Sequence, residues 1–520
     1  MDKAKNSNKK DRSSFEKLCL FILNEHSWCL IFILVPISLG YDLFFKFLKL
    51  INSIIGYSNA SHEEKLKDVQ RQVRHRLDTG DKRPMCTARP SYKSITLQQI
   101  TYKDTCYKIN INMSNVIDLD TKNQRVLVEP MIDIGTLNDY LISQGWTLPV
   151  VPELDELTIG GLVMGGGIET TSNKYGLFQY ICTMYELVLP DGSVLKCTEN
   201  QNEELFCATP FCYGTLGLLT AVELKIIPYK PYLKLTYIPT GSIKEFIHEF
   251  EKIVNDETID SIEGIVYSFD KAILMKGEFV DESVRSSYPV NSIGRWYKEW
   301  FYTHVEKFLK KDKEYTELIP TRHFFHRHNK SWFWLLKDIF TNFCNHPIFR
   351  YTLGWTLPPK FSFLKFLRHR FVPPGEIDNF ICQDFGFELD NLEDALRFVD
   401  EQCKVYPLWI CPTRHLIPKH LEDYSQFHKD TIHIDVGIYG FSPIPNLKQA
   451  VTQKAFEKYC LETGSLVALY AETQLTYEEF HTMFAKTMEN YYKLRKRYNF
   501  DDAFPTVYEK VSKLGRSPNT

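Results

Sequence analysis

The stretch Pro152–Leu177 reads PELDELTIGGLVMGGGIETTSNKYGL. Five glycines fall within eight residues: Gly160, Gly161, Gly165, Gly166 and Gly167. Glycines at that density let backbone amides approach an anion closely and point at it as donors. Thr158 precedes the first pair with a hydroxyl, and Thr170, Thr171 and Ser172 follow the second cluster. The spacing is not Gly-x-Gly-x-x-Gly between a strand and a long helix, so a Rossmann nicotinamide site is not indicated, and no P-loop lysine follows. A glycine-rich turn at a packed loop is the plain alternative. A cradle for a diphosphate is the preferred reading, because the glycines sit between regular elements with hydroxyl side chains around them.

Those neighbours alternate between strand and helix. RVLVEP (Arg125–Pro130) reads as a strand with Val126 and Val128 on one face. Thr136 is expected to cap the helix TLNDYLISQG, with Leu137, Tyr140 and Leu141 on its inner face and Gly145 at its end. ELVLPDGSVLKC (Glu186–Cys197) reads as a hairpin turning at Pro190-Asp191-Gly192. NEELFCAT is a short helix, Gly214–Gly217 a tight bend, and LLTAVELKII (Leu218–Ile227) a strand.

The whole chain has 520 residues and a formal net charge of −3, from 62 Lys+Arg and 65 Asp+Glu. That length suggests about three units, or two large ones and an appendage. With 44% hydrophobic and 24% charged residues it is ordinary folded protein. Near-neutrality argues against nucleic acid as the main partner. The 13 cysteines form no Cys-x-x-Cys pair, so free thiols in a reducing compartment are expected.

The charge is unevenly spread. Six Lys/Arg against three Asp/Glu precede Leu18, and apolar residues dominate from Leu18 to Ile55. The longest run there without charge or His, Ser27–Tyr41, is 15 residues, short of the ~20 a span needs. Three readings stand: a tilted transmembrane anchor with Lys46 and Lys49 snorkelling, a helix lying in the interface, and a cleaved signal. The first is preferred. The free thiols place the body on the cytosolic side.

The order strand-VEP, helix ending in Gly-Trp, Thr-x-Gly-Gly, a second glycine cluster, Lys-Tyr-Gly-Leu and Glu-Leu-Val-Leu-x-Asp-Gly resembles the FAD-binding domain of the vanillyl-alcohol-oxidase or p-cresol methylhydroxylase (PCMH) type. GWTLPVVPELDELTIGGLVMGGGIE, NKYGLFQYICTMYELVLPDGS and GTLGLL are similar to the delta(24)-sterol reductases. So are NSIGRWYKEWF, IPTRHFFHRHNKSWFW, NHPIFRYTLGW, YPLWICP, ALYAE and DAFPTVYEKV. The resemblance runs from about His62 to Val511.

It implies an α+β fold: a two-subdomain FAD-binding PCMH-type domain over 57–229, then an α/β cap domain for substrate over 230–480. A basic anchor segment would occupy 1–56, and a C-terminal helical segment over 481–520 would pack back on the body. The FAD diphosphate would sit on Thr158, Ile159, Gly160, Gly161, Leu162, Val163, Met164, Gly165, Gly166, Gly167, Ile168, Glu169 and Thr170. Glu186 would be a buried polar residue beside the flavin domain, with a structural role as the plain alternative. CTARPSYKS (Cys86–Ser94) takes the place of the loop that often carries a flavin-tethering His; it has none, so noncovalent FAD is expected.

The implied reaction is reduction of the C24–C25 double bond of a sterol side chain. NADPH would supply electrons through the flavin, docking transiently on Arg322, Arg327 or Lys330. An isolated alkene is unpolarised, so hydride from flavin N5 must be matched by a proton from an acid, with cationic character at the more substituted carbon. Tyr470 in ALYAET is the first candidate acid, with Glu472 two residues on along an expected strand. His326 is the second, and Asp435 in HIDVGIYG, on another expected strand, is a weaker polar candidate.

The window Tyr288–Val372 holds 22 aromatics, five of the eight Trp, and 15 Lys/Arg against six Asp/Glu. It reads as a membrane interface through which a bilayer sterol enters, or single-stranded nucleic-acid binding, or a packed aromatic core with a basic face. The first is preferred. The cluster Arg322-His323 to His328 lacks a nearby Cys or carboxylate, so no metal is expected. The endoplasmic reticulum membrane is the expected location, with the Golgi membrane as alternative, and the number of copies stays open. Two other functions remain: an FAD oxidase of a lactone or alcohol, and an inactive sterol-binding scaffold.

Overall fold

The structure is a computed structural model. It describes residues 36–41, 43–44, 47 and 60–517, except 97–98, 312, 341, 359, 361, 364, 366–378, 418, 423–424, 426 and 472. Most of the apolar N-terminal segment, and Glu472, therefore lie outside the described residues. No helix among the described residues is long and apolar enough to cross a membrane.

The first half is built on a five-stranded antiparallel sheet in the order Val116–Asp120, Arg125–Val128, Leu218–Lys225, Cys182–Val188, Val194–Cys197. Val126 and Val128 share its buried face. The hairpin turns where expected, with Gly192 at φ +79° and its amide bonded to the Leu189 carbonyl. A parallel pair, Met85–Thr87 with Tyr107–Ile109, stands beside it.

The helix after the Val-Glu-Pro strand is Ile134–Ser143, and its cap is Asp133, whose carboxylate accepts from the Thr136 amide at 2.8 Å. The expected cap, Thr136, is thus the third helical residue. Asp and Thr both cap well, and the earlier one took the end. Tyr140, expected on the inner face, is exposed, while Leu137 and Leu141 are buried.

Helix His62–Asp78 opens with a full capping box between Ser61 and Glu64. Its first residue meets two buried acids: His62 lies 3.2 Å from Glu129 and 2.9 Å from Glu186. Lys65 adds a 2.9 Å bond to Glu129, and Thr220 one of 2.9 Å to Glu186. Burial alone would lower the His62 pKa, but the two carboxylates raise it to about 9. Its folded value therefore exceeds the unfolded 6.5. The stability it contributes is full below about pH 6.5 and is lost as pH rises to about 9. The thermal midpoint should fall across that window, and His62→Gln should flatten the fall. Parallel pH curves for the two proteins would contradict the assignment.

The second half is an eight-stranded antiparallel sheet. Its central strands are Ser261–Ser268, Leu408–Arg414, Ile432–Phe441 and Phe380–Glu388. The faces differ in chemistry. Ile410, Ile434, Val436, Ile438, Phe385 and Phe387 pack away from the first half, against helices Ile243–Val254, Leu392–Gln402 and Gln449–Thr463. The opposite face carries Glu263, Trp409, Cys411, Asp435, Tyr439 and Asp384, and its apolar members join the core of the first half.

The halves are joined directly at Thr170. The Ile262 amide donates to the Thr170 carbonyl at 3.0 Å, and the Ser261 and Thr170 hydroxyls meet at 2.8 Å. The C-terminal region returns to the first half. The Met85 amide donates to the Ala503 carbonyl at 2.6 Å, and Arg516–Ser517 pairs with Gln99–Ile100. Buried Arg495 donates to the carbonyls of Thr215, Phe500, Phe504 and Pro505.

Much of the aromatic window is core. Trp300, Trp332, Trp334, Phe301, Phe324 and Phe333 are buried, and Phe333 packs on Trp409 and Tyr439. Trp296, Ile348, Tyr351 and Trp355 remain exposed.

Candidate functional site

The glycine-rich stretch is only partly a loop. Thr158 caps a short helix, Ile159–Gly165, its hydroxyl accepting from the Gly161 amide at 3.3 Å. Gly160 opens that helix against the Val-Glu-Pro strand: its amide donates to the Pro130 carbonyl at 2.7 Å, and an added Cβ would lie 2.9 Å from Pro130 Cβ. Gly166 ends the helix at φ +106°, a backbone that favours glycine. A Cβ there would lie 2.8 Å from Phe211 Cε1. The amides of Gly167 and Ile168 make no hydrogen bond among the described residues. Side chains of Ile159, Leu162 and Val163 are core, while Met164, Gly165, Gly166, Gly167 and Ile168 are partly open.

The hydroxyls and acid that follow are committed inside the protein. Thr171 donates to the Pro149 carbonyl at 2.9 Å, and the Ser172 hydroxyl accepts from the Glu169 amide at 2.9 Å. Glu169 accepts from Arg327 at 2.8 Å.

A residue without any motif joins the cradle. Arg89, in the CTARPSYKS loop, donates from Nη1 to the Thr158 hydroxyl at 3.0 Å. No carboxylate forms an ion pair with it among the described residues, and its buried Nε has no partner. Burial lowers its pKa, and Glu156 offsets this in part. A half-buried cation without a carboxylate partner suits an anion. Open amides at Gly167 and Ile168, glycines where a Cβ would collide, and an unpaired guanidinium beside a helix start together suit a diphosphate. Sequence reasoning missed Arg89 because 69 residues separate it from Thr158.

The second cluster lies on the sheet face turned toward this cradle. Asp384 accepts from the hydroxyls of both Tyr439 and Tyr470. Burial lifts its pKa and the two phenols pull it back, leaving it at about 6. Asp435 is 9% exposed, and its Oδ2 has no partner among the described residues. Burial, then Asp384, then Glu153 raise its pKa well above the carboxylate range. Glu153, from the start of the glycine-rich stretch, is likewise raised by burial and by Glu169.

Tyr470 is not on a strand. The edge strand is only Leu466–Val467, paired to Gly386 and Phe385, and Tyr470 sits in the turn beyond it. Same-side placement with residue 472 therefore does not follow. His326 is pinned to the first half: Nε2 lies 3.1 Å from Asn138 Nδ2, and Nδ1 lies 3.1 Å from the Glu153 carbonyl and 3.0 Å from Asp155. With both ring nitrogens engaged it positions its neighbours rather than offering a proton. The expected nicotinamide cations are also committed. Arg322 pairs with Asp139 and Asp155, and Arg327 is buried between Glu169 and Glu263. Lys330 donates to three backbone carbonyls, and burial pulls its pKa down to about 7. Glu186 is confirmed as buried and lies in the His62 network.

Comparison with known proteins follows the same division. A family described as an FAD binding domain matches residues 68–198. Delta(24)-sterol reductase of Homo sapiens is 39% identical over 502 residues, covering 95% of each chain. The delta(24)-sterol reductase homolog of Caenorhabditis elegans is 35% identical over 516 residues, covering 96% of this chain and 97% of its own. The Arabidopsis thaliana enzyme of that name is 32% identical over 486 residues, covering 88% and 85%. The first half is thus an FAD-binding PCMH-type domain of mixed helices and sheets, and the similarity continues through the large sheet to the C-terminal region. The chain belongs to the delta(24)-sterol reductase family.

Proposed function

We propose that this protein is an FAD-dependent reductase of the C24–C25 double bond of a sterol side chain, with NADPH as electron donor and FAD held without a covalent link. The observation that carries this reading is the pair of acids, Asp384 and Asp435, side by side on the face of the large sheet that turns toward the first half, in a chain similar along its length to sterol reductases.

Arg89, the Thr158 cap and the open amides of Gly167 and Ile168 would hold the FAD diphosphate. FAD held there would supply hydride chemistry. The chain's own residues supply the rest. Phe333, Trp409 and Tyr439 wall the sheet face with aromatic surface and exclude water. The acid cluster of Asp384, Tyr439, Tyr470 and Asp435 holds the proton that the second carbon needs. His326 and Arg322 fasten the second half to Asn138, Asp139 and Asp155, fixing the face over the cradle. Exposed Trp296, Ile348, Tyr351 and Trp355 support a bilayer contact from which the sterol enters, in the endoplasmic reticulum or Golgi membrane.

The test is an absorbance spectrum of purified protein, then anaerobic NADPH, then desmosterol. Flavin bands should bleach with NADPH and return with the sterol. Absence of flavin, or bleaching that only oxygen reverses, would sink this reading.

A further inference from the structure

The antiparallel ladder between Phe380–Glu388 and Ile432–Phe441 sets two aspartates opposite two glycines. Asp384 faces Gly437, and Gly386 faces Asp435. The acids are diagonal neighbours on one face, roughly 7–8 Å apart along such a ladder. The glycines clear the space between them. A Cβ on Gly437 would lie 2.5 Å from the Tyr439 hydroxyl, so the phenol reaches Asp384 only because that position is bare. On Phe380–Glu388 the positions of this face, Cys382, Asp384 and Gly386, are partly open, while Ile381, Phe385 and Phe387 on the far face are buried.

The two aspartates are not equivalent. Asp384 receives two phenol donors, an arrangement that favours its anion. Asp435 receives none on Oδ2, and the groups facing it disfavour a charge: Asp384 from the next strand, Glu153 from the first half, Cys411 across the ladder, and Tyr439 and Tyr470 beside Asp384. Two carboxyls this close in a dry site cannot both ionise cheaply. The proton therefore rests on Asp435, whose Oδ2 has no donor. Tyr470, by contrast, already gives its hydroxyl to Asp384, and burial drives its pKa far above the phenol range. It is a poor acid in this setting.

Resting on the reductase reading above, we propose that Asp435 is the residue that hands the proton to the alkene, and that Asp384, held by Tyr439 and Tyr470, is the positioning group that keeps Asp435 protonated. The π pair of the alkene takes the proton from the Asp435 O–H, forming a C–H bond at the less substituted carbon. The O–H pair stays on Asp435 as carboxylate. The hydride supplied by the cofactor forms the second C–H bond with its own electron pair, and a solvent proton restores Asp435.

The test uses flavin-loaded full-length protein and two readouts. In infrared difference spectra at pH 7, wild type minus Asp435→Asn should show the carbonyl stretch of a protonated buried carboxyl, shifted in D₂O. In single-turnover kinetics, Asp435→Asn should slow reoxidation by desmosterol at least about 100-fold, with NADPH bleaching within twofold of wild type. Tyr470→Phe should slow the same step less than about tenfold, and should weaken the carboxyl band by moving the proton toward Asp384. Absence of the band, Asp435→Asn that reduces the sterol at the wild-type rate, or Tyr470→Phe that loses more than Asp435→Asn would overturn the assignment. Wild-type protein that binds flavin, bleaches with NADPH, shows the band and never reduces the sterol overturns the reductase reading itself, and the two failures are thereby told apart.

Discussion

Arg327→Met is expected to cost the fold about 3–5 kcal/mol, the usual effect of stripping one partner from a buried ion pair. Its guanidinium is fully buried and donates at 2.8 Å to Glu169 from the first half and at 2.8 Å to Glu263 from the large sheet. Glu263 also takes His328 at 2.5 Å and the Trp409 indole at 2.8 Å. Burial pushes the Glu263 pKa up, but Arg327 and His328 pull it down to about 2. In the wild type its contribution is present above about pH 4.5 and is lost as pH falls toward 2. In Arg327→Met the orphaned carboxyls prefer to be protonated, so the sign reverses. The variant should lose least at pH 5 and most at pH 7.5 and above. Urea midpoints at the two pH values check this; a variant as stable as wild type at pH 7.5 would refute the bridging role.

Gly166→Glu should remove flavin from the purified protein, with affinity reduced at least about 100-fold. Three effects act together. The residue sits at φ +106°, where any side chain is strained. Its Cβ would collide with the Phe211 ring at 2.8 Å. The new carboxylate would stand beside the amides of Gly167 and Ile168 and repel a diphosphate. Gly166→Ala carries the first two effects without the charge and should fall between. Flavin absorbance and titration of stripped protein measure both. Full occupancy in Gly166→Glu would mean that the diphosphate lies elsewhere.

What the sequence made legible was local. The Pro190–Gly192 hairpin, the Val126 and Val128 strand and the glycine-rich stretch each announce themselves within about 25 residues, and each appears in the structure. What stayed hidden depends on register between distant strands. Asp384 shows no motif, and its meaning comes from Gly437, 53 residues on, and from a phenol that reaches it over that glycine. Tyr470 was legible as a residue type but not as a partner, because a two-residue edge strand is too short to show a period. The basic string Arg322–Lys330 looked like an anion surface. Charge in a sequence does not reveal that Glu169 and Glu263 lie more than 60 positions away waiting to bury Arg327.

The closing of the first half by the last part of the chain bears on how the protein is made. Met85 must wait for Ala503, and Gln99–Ile100 for Arg516–Ser517. At ordinary ribosomal speed, about 5–20 residues per second, the 418 residues between Met85 and Ala503 take roughly 20–80 s to emerge. Throughout that interval the cofactor-binding half has an unpaired edge and an unfilled apolar surface. Synthesis of residues 503–517, rather than completion of the early domain, therefore sets the moment at which this half can close.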